Sequence, residues 1–304
     1  MDLRQLAYFV QVAEVGNFTR AAALLGVAQP ALSRQVRQLE VELRQSLLSR
    51  NGRGASLTEA GRRLLDHARG ILNQVERARE DLEEMRGAPV GHAIVGAPPS
   101  VARNLASPLV DRFKERFPKA TLGIVEGLST YVLEWLASGR IDIGLVYNPV
   151  PSRLIETTPL VSEPLFLIGP CAVPARKPRF GAPIALRDLP RHGLIVPSQP
   201  HAVRMHVETQ LASVGARINV ALEIDGIPSI LDLVAQGHGY AVLPINAIRH
   251  HPLRLSLVPR PIVRPRLSIG LMLATSSQRP LTPLARETVK LAAQLAQSRL
   301  SQPA

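Results

Sequence analysis

Residues 17–43 constrain this chain more than any other stretch, because their pattern suits two short helices joined by a tight turn. In the second helix Leu32, Val36, Leu39 and Leu43 recur at the 4-3-4 spacing that lines up one buried stripe. Gln29, Ser33, Arg34 and Arg37 fall off that stripe and carry the donors, acceptors and charge suited to base edges and phosphates. A helix that is apolar on one side and cationic or amide-bearing on the other predicts a double-stranded DNA partner.

Bulk charge agrees only in part. The chain has 304 residues, long enough for two or three domains, and a net charge of +12 that favours polyanionic or anionic partners. Yet residues 1–90 hold 13 Arg against 11 acidic groups, so most of the excess lies further on and the local pattern has to locate the DNA surface. Cys171 is the sole cysteine, which excludes an internal disulfide and a cysteine-pair metal site and fits a reducing cytoplasm. Asp2 and Arg4 are followed by an amphipathic pattern instead of a signal sequence, and no run of 18 apolar residues exists to cross a membrane.

Leu3, Leu6, Phe9, Val10 and Ala13 predict a first helix that ends at Gly16. Asn17 or Thr19 can cap the next, and Gly26 breaks it. Pro30 presets the first turn of the third helix at no hydrogen-bond cost. Asn51-Gly52, flanked by Arg50 and Arg53, then signals a basic hairpin. Three helices and such a hairpin make a winged helix-turn-helix.

Thr58 is placed to cap a long helix in which Leu64, Ala68, Ile71, Val75, Ala78, Leu82 and Met85 step as a heptad seam. At ~1.5 Å per residue it would be roughly 40 Å long, too long a seam to stay dry alone, so it reads as a dimerisation helix and arm. Gly87-Ala-Pro89 ends it. From Gly91 the chain alternates short β-branched runs with helical patterns, the signature of a mainly parallel α/β sheet. Strands are expected at 94–95, 121–125, 141–146, 165–168, 194–196, 221–224, 240–243 and 268–274. Helices are expected at 105–117, 130–137, 202–213, 228–236 and 283–299, with the proline-rich pieces 170–190 and 259–265 as loops. Two α/β lobes follow from this, the chain crossing near 162–165 and returning near 265–270.

With these elements laid out, the chain resembles the LysR-type transcriptional regulators of bacteria over nearly its whole length. The matching pieces are Phe18-Thr-Arg-Ala-Ala, Ala28-Gln-Pro-Ala-Leu-Ser, Val36-Arg-Gln-Leu-Glu and Leu57-Thr-Glu-Ala-Gly61. In the body they are Leu136-Ala-Ser-Gly-Arg-Ile-Asp-Ile-Gly-Leu145 and Leu233-Val-Ala-Gln-Gly-His-Gly-Tyr-Ala-Val-Leu-Pro244. Val146-Tyr-Asn, Leu194-Ile-Val-Pro and Ala202-Val-Arg are similar to the nitrogen-assimilation-control branch. The chain departs from the family where a glycine and a Leu-Phe pair usually stand; here Gln45 and Leu47-Leu48 take those places.

The resemblance implies a multidomain α and α/β fold: a winged helix-turn-helix over 1–58, a linker and dimerisation helix over 59–89, and a two-lobed, periplasmic-binding-protein-like effector domain over 90–304. Lobe one would be 90–162 with 268–304, and lobe two 163–267. It also implies a homodimer through the linker helix, a homotetramer, RNA polymerase as a further partner, and no cofactor. On the DNA side, Gln29, Pro30, Ser33, Arg34 and Arg37 would enter a major groove, Thr19 would meet a phosphate, and Arg50 and Arg53 would flank the groove. Paired heads demand an inverted-repeat site with half-sites about one helical turn apart.

In parallel α/β lobes, ligands bind where strands end and helices begin. Gly96-Ala-Pro-Pro-Ser100, Gly127-Leu-Ser-Thr130 and Pro197-Ser-Gln-Pro-His201 fit, with Ile227-Pro-Ser229 as a further wall. Family members place hydroxyl and amide donors at such points, so Ser100, Ser129 and Ser198 are carried over, joined by Gln199 and His201. The expected effector is small and anionic in character. Arg103 and Arg204 would suit its carboxylate if they face the cleft; otherwise they sit on solvated helix faces.

Other chemistry finds little footing. Gly127-Leu-Ser129-Thr-Tyr131 lacks the second glycine of a nucleophile elbow, and Gly237-His-Gly239 precedes a strand where a dinucleotide fingerprint must follow one. His238, His250 and His251 read as surface histidines without a metal. An enzyme on the same body would need a nucleophile or cofactor motif, and a solute-binding receptor would need an export signal. A regulator that works without an effector is the other alternative.

Overall fold

The computed structural model describes residues 1–51, 54–84, 91–171, 177 and 179–301. They fall into two compact units, residues 1–91 with 135–141, and residues 92–134 with 142–304.

The first unit begins with α1 (Leu3–Val15), where Asp2 and Gln5 cap each other's backbone N–H groups. Gly16, at φ 67°, turns the chain into α2 (Phe18–Leu25), whose start is capped by Asn17 accepting from the Arg20 N–H at 3.0 Å. Of the two capping candidates, Asn17 therefore holds the position and Thr19 is left exposed. Then follow α3 (Gln29–Leu43) and the antiparallel pair β1 (Leu48–Asn51) and β2 (Gly54–Leu57). The Ala55 N–H donates to the Gly16 carbonyl at 2.8 Å, and a Cβ on Gly54 would come within 2.4 Å of that same oxygen, so only glycine lets the hairpin seat there. Glu40 accepts from the Leu47 and Leu48 N–H groups, and both leucines enter the core, filling the place where the sequence departs from the family.

Next comes α4 (Glu59–Glu84), capped by the Thr58 hydroxyl, which accepts from the Gly61 N–H at 3.0 Å. The expected seam is not uniform. Leu65 and Ala68 are buried in the core of this unit, with Leu64 half-buried against it, so the first turns serve the helix-turn-helix itself. Ile71 and Ala78 are exposed and Val75 half-buried, so the described residues do not fully cover this part of the seam. The side chains of Leu82 and Met85 lie outside the described residues, as do Gly87–Pro89.

The second unit is built on β3 (His92–Ala97), α5 (Pro99–Arg116), β4 (Thr121–Glu126), α6 (Ser129–Ser138) and β5 (Ile143–Tyr147). It continues through β6 (Ile155–Pro170), β7 (Ile184–Ala185), β8 (Leu194–Val196), α7 (Ala202–Ser213), β9 (Val220–Glu223), α8 (Ile227–Ala235) and β10 (Ala241–Pro244). It closes with β11 (Leu257–Val263), β12 (Ser268–Ser276) and α9 (Pro283–Leu300). The large sheet runs β4-β3-β5-β12-β6-β11-β7, and β10 also pairs with β6. It is mixed where a mainly parallel sheet was expected: β4, β3 and β5 are parallel, whereas β12 is antiparallel to β5 and β6. A smaller parallel pair, β8 and β9, is tied to β10 through bonds from Ile195 to Tyr240 and from Tyr240 to Gly193.

Three expectations need correction. The helix expected from Leu105 starts at Pro99, because proline costs nothing in a first turn. The strand expected at 165–168 runs from Ile155 to Pro170, its first half zipped to β12 and its second half to β10 and β11. The prolines of 259–265 do not all make a loop: Pro259 and Pro261 lie inside β11. The carbonyl of Pro259 faces Gly181, away from β6, and β7 pairs only with Ile262 and Val263, so no ladder bond needs the missing N–H groups. No helix among the described residues is long and apolar enough to cross a membrane.

Candidate nucleic-acid interface and ligand cleft

On α3 the amphipathic division holds except near its end, where Leu43 is half-buried and Val41 exposed. Leu32, Val36 and Leu39 are buried, while Arg34 and Arg37 stand exposed and form no side-chain hydrogen bond or ion pair with another described residue. Pro30 is exposed in the first turn, and Gln29 and Ser33 are half-buried beside it. Ala28 precedes the helix without a side-chain cap, so the N-cap residue itself leaves that end open to an approaching group. Thr19 is exposed in the first turn of α2. Arg50 belongs to β1, but its side chain, like the whole of Arg53, lies outside the described residues.

In the second unit the structure brings Ser100, Ser129, Ser198, Gln199 and His201 to the wall of one cleft of about 410 Å³. Four helices begin at this cleft: α5 at Pro99, α6 at Ser129, α7 at Ala202 and α8 at Ile227. Their amino ends give it a positive backbone potential without a positive side chain. The Ser129 hydroxyl accepts from the Tyr147 N–H at 3.0 Å, so its own proton is available to a ligand. Ser198 is engaged through its backbone, its N–H donating to Asp225 at 2.9 Å. The Gln199 amide is tied to Glu208 at 2.9 Å. His201 has a buried Nδ1 without a partner, and burial holds its pKa down to about 4 against the pull of Asp225, so the ring is neutral at ordinary pH.

Neither arginine considered for a carboxylate lines this cleft. Arg103 donates to the His250 carbonyl, and Arg204 is held by Glu208, Glu223 and the Pro197 carbonyl. Arg204 is 12% exposed, so a solvated helix face does not describe it either. Three residues here were not named as site candidates from the sequence. Asp225 lines the cleft, and the signal was present in its Asp-Gly turn just ahead of α8. Tyr147 also lines the cleft and donates its hydroxyl to Glu163, a carboxylate 2% exposed on β6, which accepts from the Asn246 amide as well. Burial pushes the Glu163 pKa up, partly offset by those two hydrogen bonds and by the charge of Arg249.

The histidines divide. His250 is exposed as expected, but His251 is buried, its Nε2 lying 3.5 Å from Asp232 while its Nδ1 accepts from the Leu253 N–H. Cys171 is buried, and Arg179 donates to its sulfur at 2.8 Å.

Comparison with known proteins agrees across the whole chain. A model of the bacterial regulatory helix-turn-helix protein, lysR family, matches residues 3–62, and one of the LysR substrate binding domain matches residues 86–297. The nitrogen assimilation regulatory protein nac of Escherichia coli is 32% identical over 292 residues, covering 96% of this chain and 94% of its own. A full-length OxyR variant from Pseudomonas aeruginosa is similar with a TM-score of 0.72 at 26% identity, covering 100% of this chain and 98% of its own. Full-length CbnR complexed with its target DNA gives 0.69 at 25% identity, covering 97% and 100%.

Proposed function

The chain belongs to the LysR family of bacterial transcriptional regulators, and from that membership we propose how its own residues carry the task. It is a DNA-binding transcriptional regulator with an effector-binding domain, in a family of regulators and not of enzymes. Residues 1–58 bind DNA, 59–89 form the linker and dimerisation helix, and 90–304 bind the effector, with lobes of 90–162 plus 268–304 and of 163–267. The protein works in the cytoplasm as a dimer of heads, assembled further to a tetramer, and meets RNA polymerase at the promoter.

The observation that carries the DNA assignment is α3, with its aliphatic stripe buried and Arg34 and Arg37 exposed and uncommitted. Gln29, Pro30, Ser33, Arg34 and Arg37 lie in a major groove, Thr19 and the start of α2 on a phosphate, and Arg50 and Arg53 on the adjoining backbone or minor groove. Arginine reads guanine through two parallel hydrogen bonds, a contact worth ~1–3 kcal/mol of discrimination. The effector sits among Ser100, Ser129, Ser198, Gln199 and His201, where four helix N-termini meet.

The test is footprinting and fluorescence anisotropy on the DNA upstream of the protein's own gene. A protected inverted repeat is expected, and Arg34→Ala should weaken binding to it by about tenfold or more with the fold intact. Unchanged affinity in that variant would remove α3 from the reading role.

A further inference from the structure

The cleft holds an imbalance. Four helix N-termini favour an acceptor or a negative charge at its lobe-one and lobe-two walls. Among the described residues lining it there is no Lys or Arg, and the acidic side chain is that of Asp225. Behind the lobe-one wall sits a second carboxylate, Glu163, reached through the Tyr147 hydroxyl. A ligand bearing two or more negative charges would meet Asp225 with no cationic side chain among the described lining residues to answer it.

The hydroxyls divide the wall further. Tyr147 gives its proton to Glu163 and so offers the cleft no donor. Ser129, already accepting from the Tyr147 N–H, turns its proton there. The cleft therefore offers a ligand one hydroxyl donor, Ser129, with helix N-termini around it, and one carboxylate, with Pro98, Leu128, Ile227 and Leu243 supplying apolar surface.

Resting on the reading of this cleft as the effector site, we propose that it takes a zwitterion: an amino acid with an apolar side chain, its carboxylate at the helix N-termini beside Ser129 and its ammonium at Asp225. Asp225 is the specificity residue. It is exposed, and while one of its oxygens accepts from the Ser198 N–H, the other bonds no described residue. A plain carboxylate satisfies only half of the wall.

Ligand-detected NMR titration of the full chain with four probes separates the cases: L-leucine, isocaproate (which lacks the ammonium), isoamylamine (which lacks the carboxylate) and adipate. L-leucine should bind about fivefold tighter than isocaproate or isoamylamine, with adipate weakest. Asp225→Asn, which retains an oxygen for the Ser198 N–H, should bring L-leucine down to the level of isocaproate. Isocaproate or adipate binding as well as L-leucine, an unchanged ratio in Asp225→Asn, or no binding by any probe would overturn the proposal. Ser129→Ala separates the two levels. If isocaproate binds and loses affinity in Ser129→Ala while the ammonium proves irrelevant, the cleft remains the ligand site and only the zwitterion falls. If no probe's binding responds to Ser129→Ala, the cleft reading falls with it.

Discussion

The His201 ring is neutral in the folded chain because burial holds its pKa down to about 4, while in an unfolded chain it titrates near 6.5. Between those values the unfolded state binds more protons than the folded one, so stability falls as pH drops from about 6.5 towards about 4. The contribution at stake is on the order of 3 kcal/mol. Urea unfolding across that window should show His201→Gln losing less stability than the parent chain as the pH falls; parallel profiles would count against it. Little of this was legible in the sequence. His201 could be placed near the cleft by its position after a strand, but its burial depends on how α7 packs. Glu163 is plainer still, since its partners Tyr147 and Asn246 lie 16 and 83 residues away. No local pattern announces a carboxylate satisfied at such distances.

Elements with a short period could be read from the chain, and those made by distant pairing could not. The stripe of α3 and the bounds of α7 repeat within a few residues, so the sequence carries them directly. The first half of β6 includes Glu156, Thr157, Thr158 and Pro159, which look like a loop until β12 arrives more than a hundred residues later to pair with them. Gly61 illustrates a contact between elements. It lies in the first turns of α4, and a Cβ there would come within 2.0 Å of the Leu47 carbonyl ahead of β1. That carbonyl also accepts from Thr58, so it is not free to give way. Gly61→Ala is therefore expected to destabilise the first unit by about 2–4 kcal/mol, by forcing α4 off the hairpin. Thermal unfolding followed by circular dichroism checks this, and a melting curve like that of the parent would refute it.

For the whole molecule, the covered and uncovered parts of α4 have different consequences. Leu65 and Ala68 are already used within the first unit, but Ile71 is 38% exposed, and Ala78 is exposed on the same seam. A glutamate at position 71 would place a charge in the proposed dimer contact while sparing the core beneath. Ile71→Glu should shift the full chain towards monomer in sedimentation velocity and weaken its hold on an inverted repeat; an unaltered assembly would place the dimer contact elsewhere. Within the second unit, β6 is shared property: β12 pairs with one half of it, β10 and β11 with the other. An exchange of parts between relatives that cut through the cleft would leave half of that strand with a bare edge. The two walls of the cleft are thus tied through one strand, so a change in the proposed ligand preference is expected from substitutions such as those at Asp225, not from trading the parts on either side of such a cut.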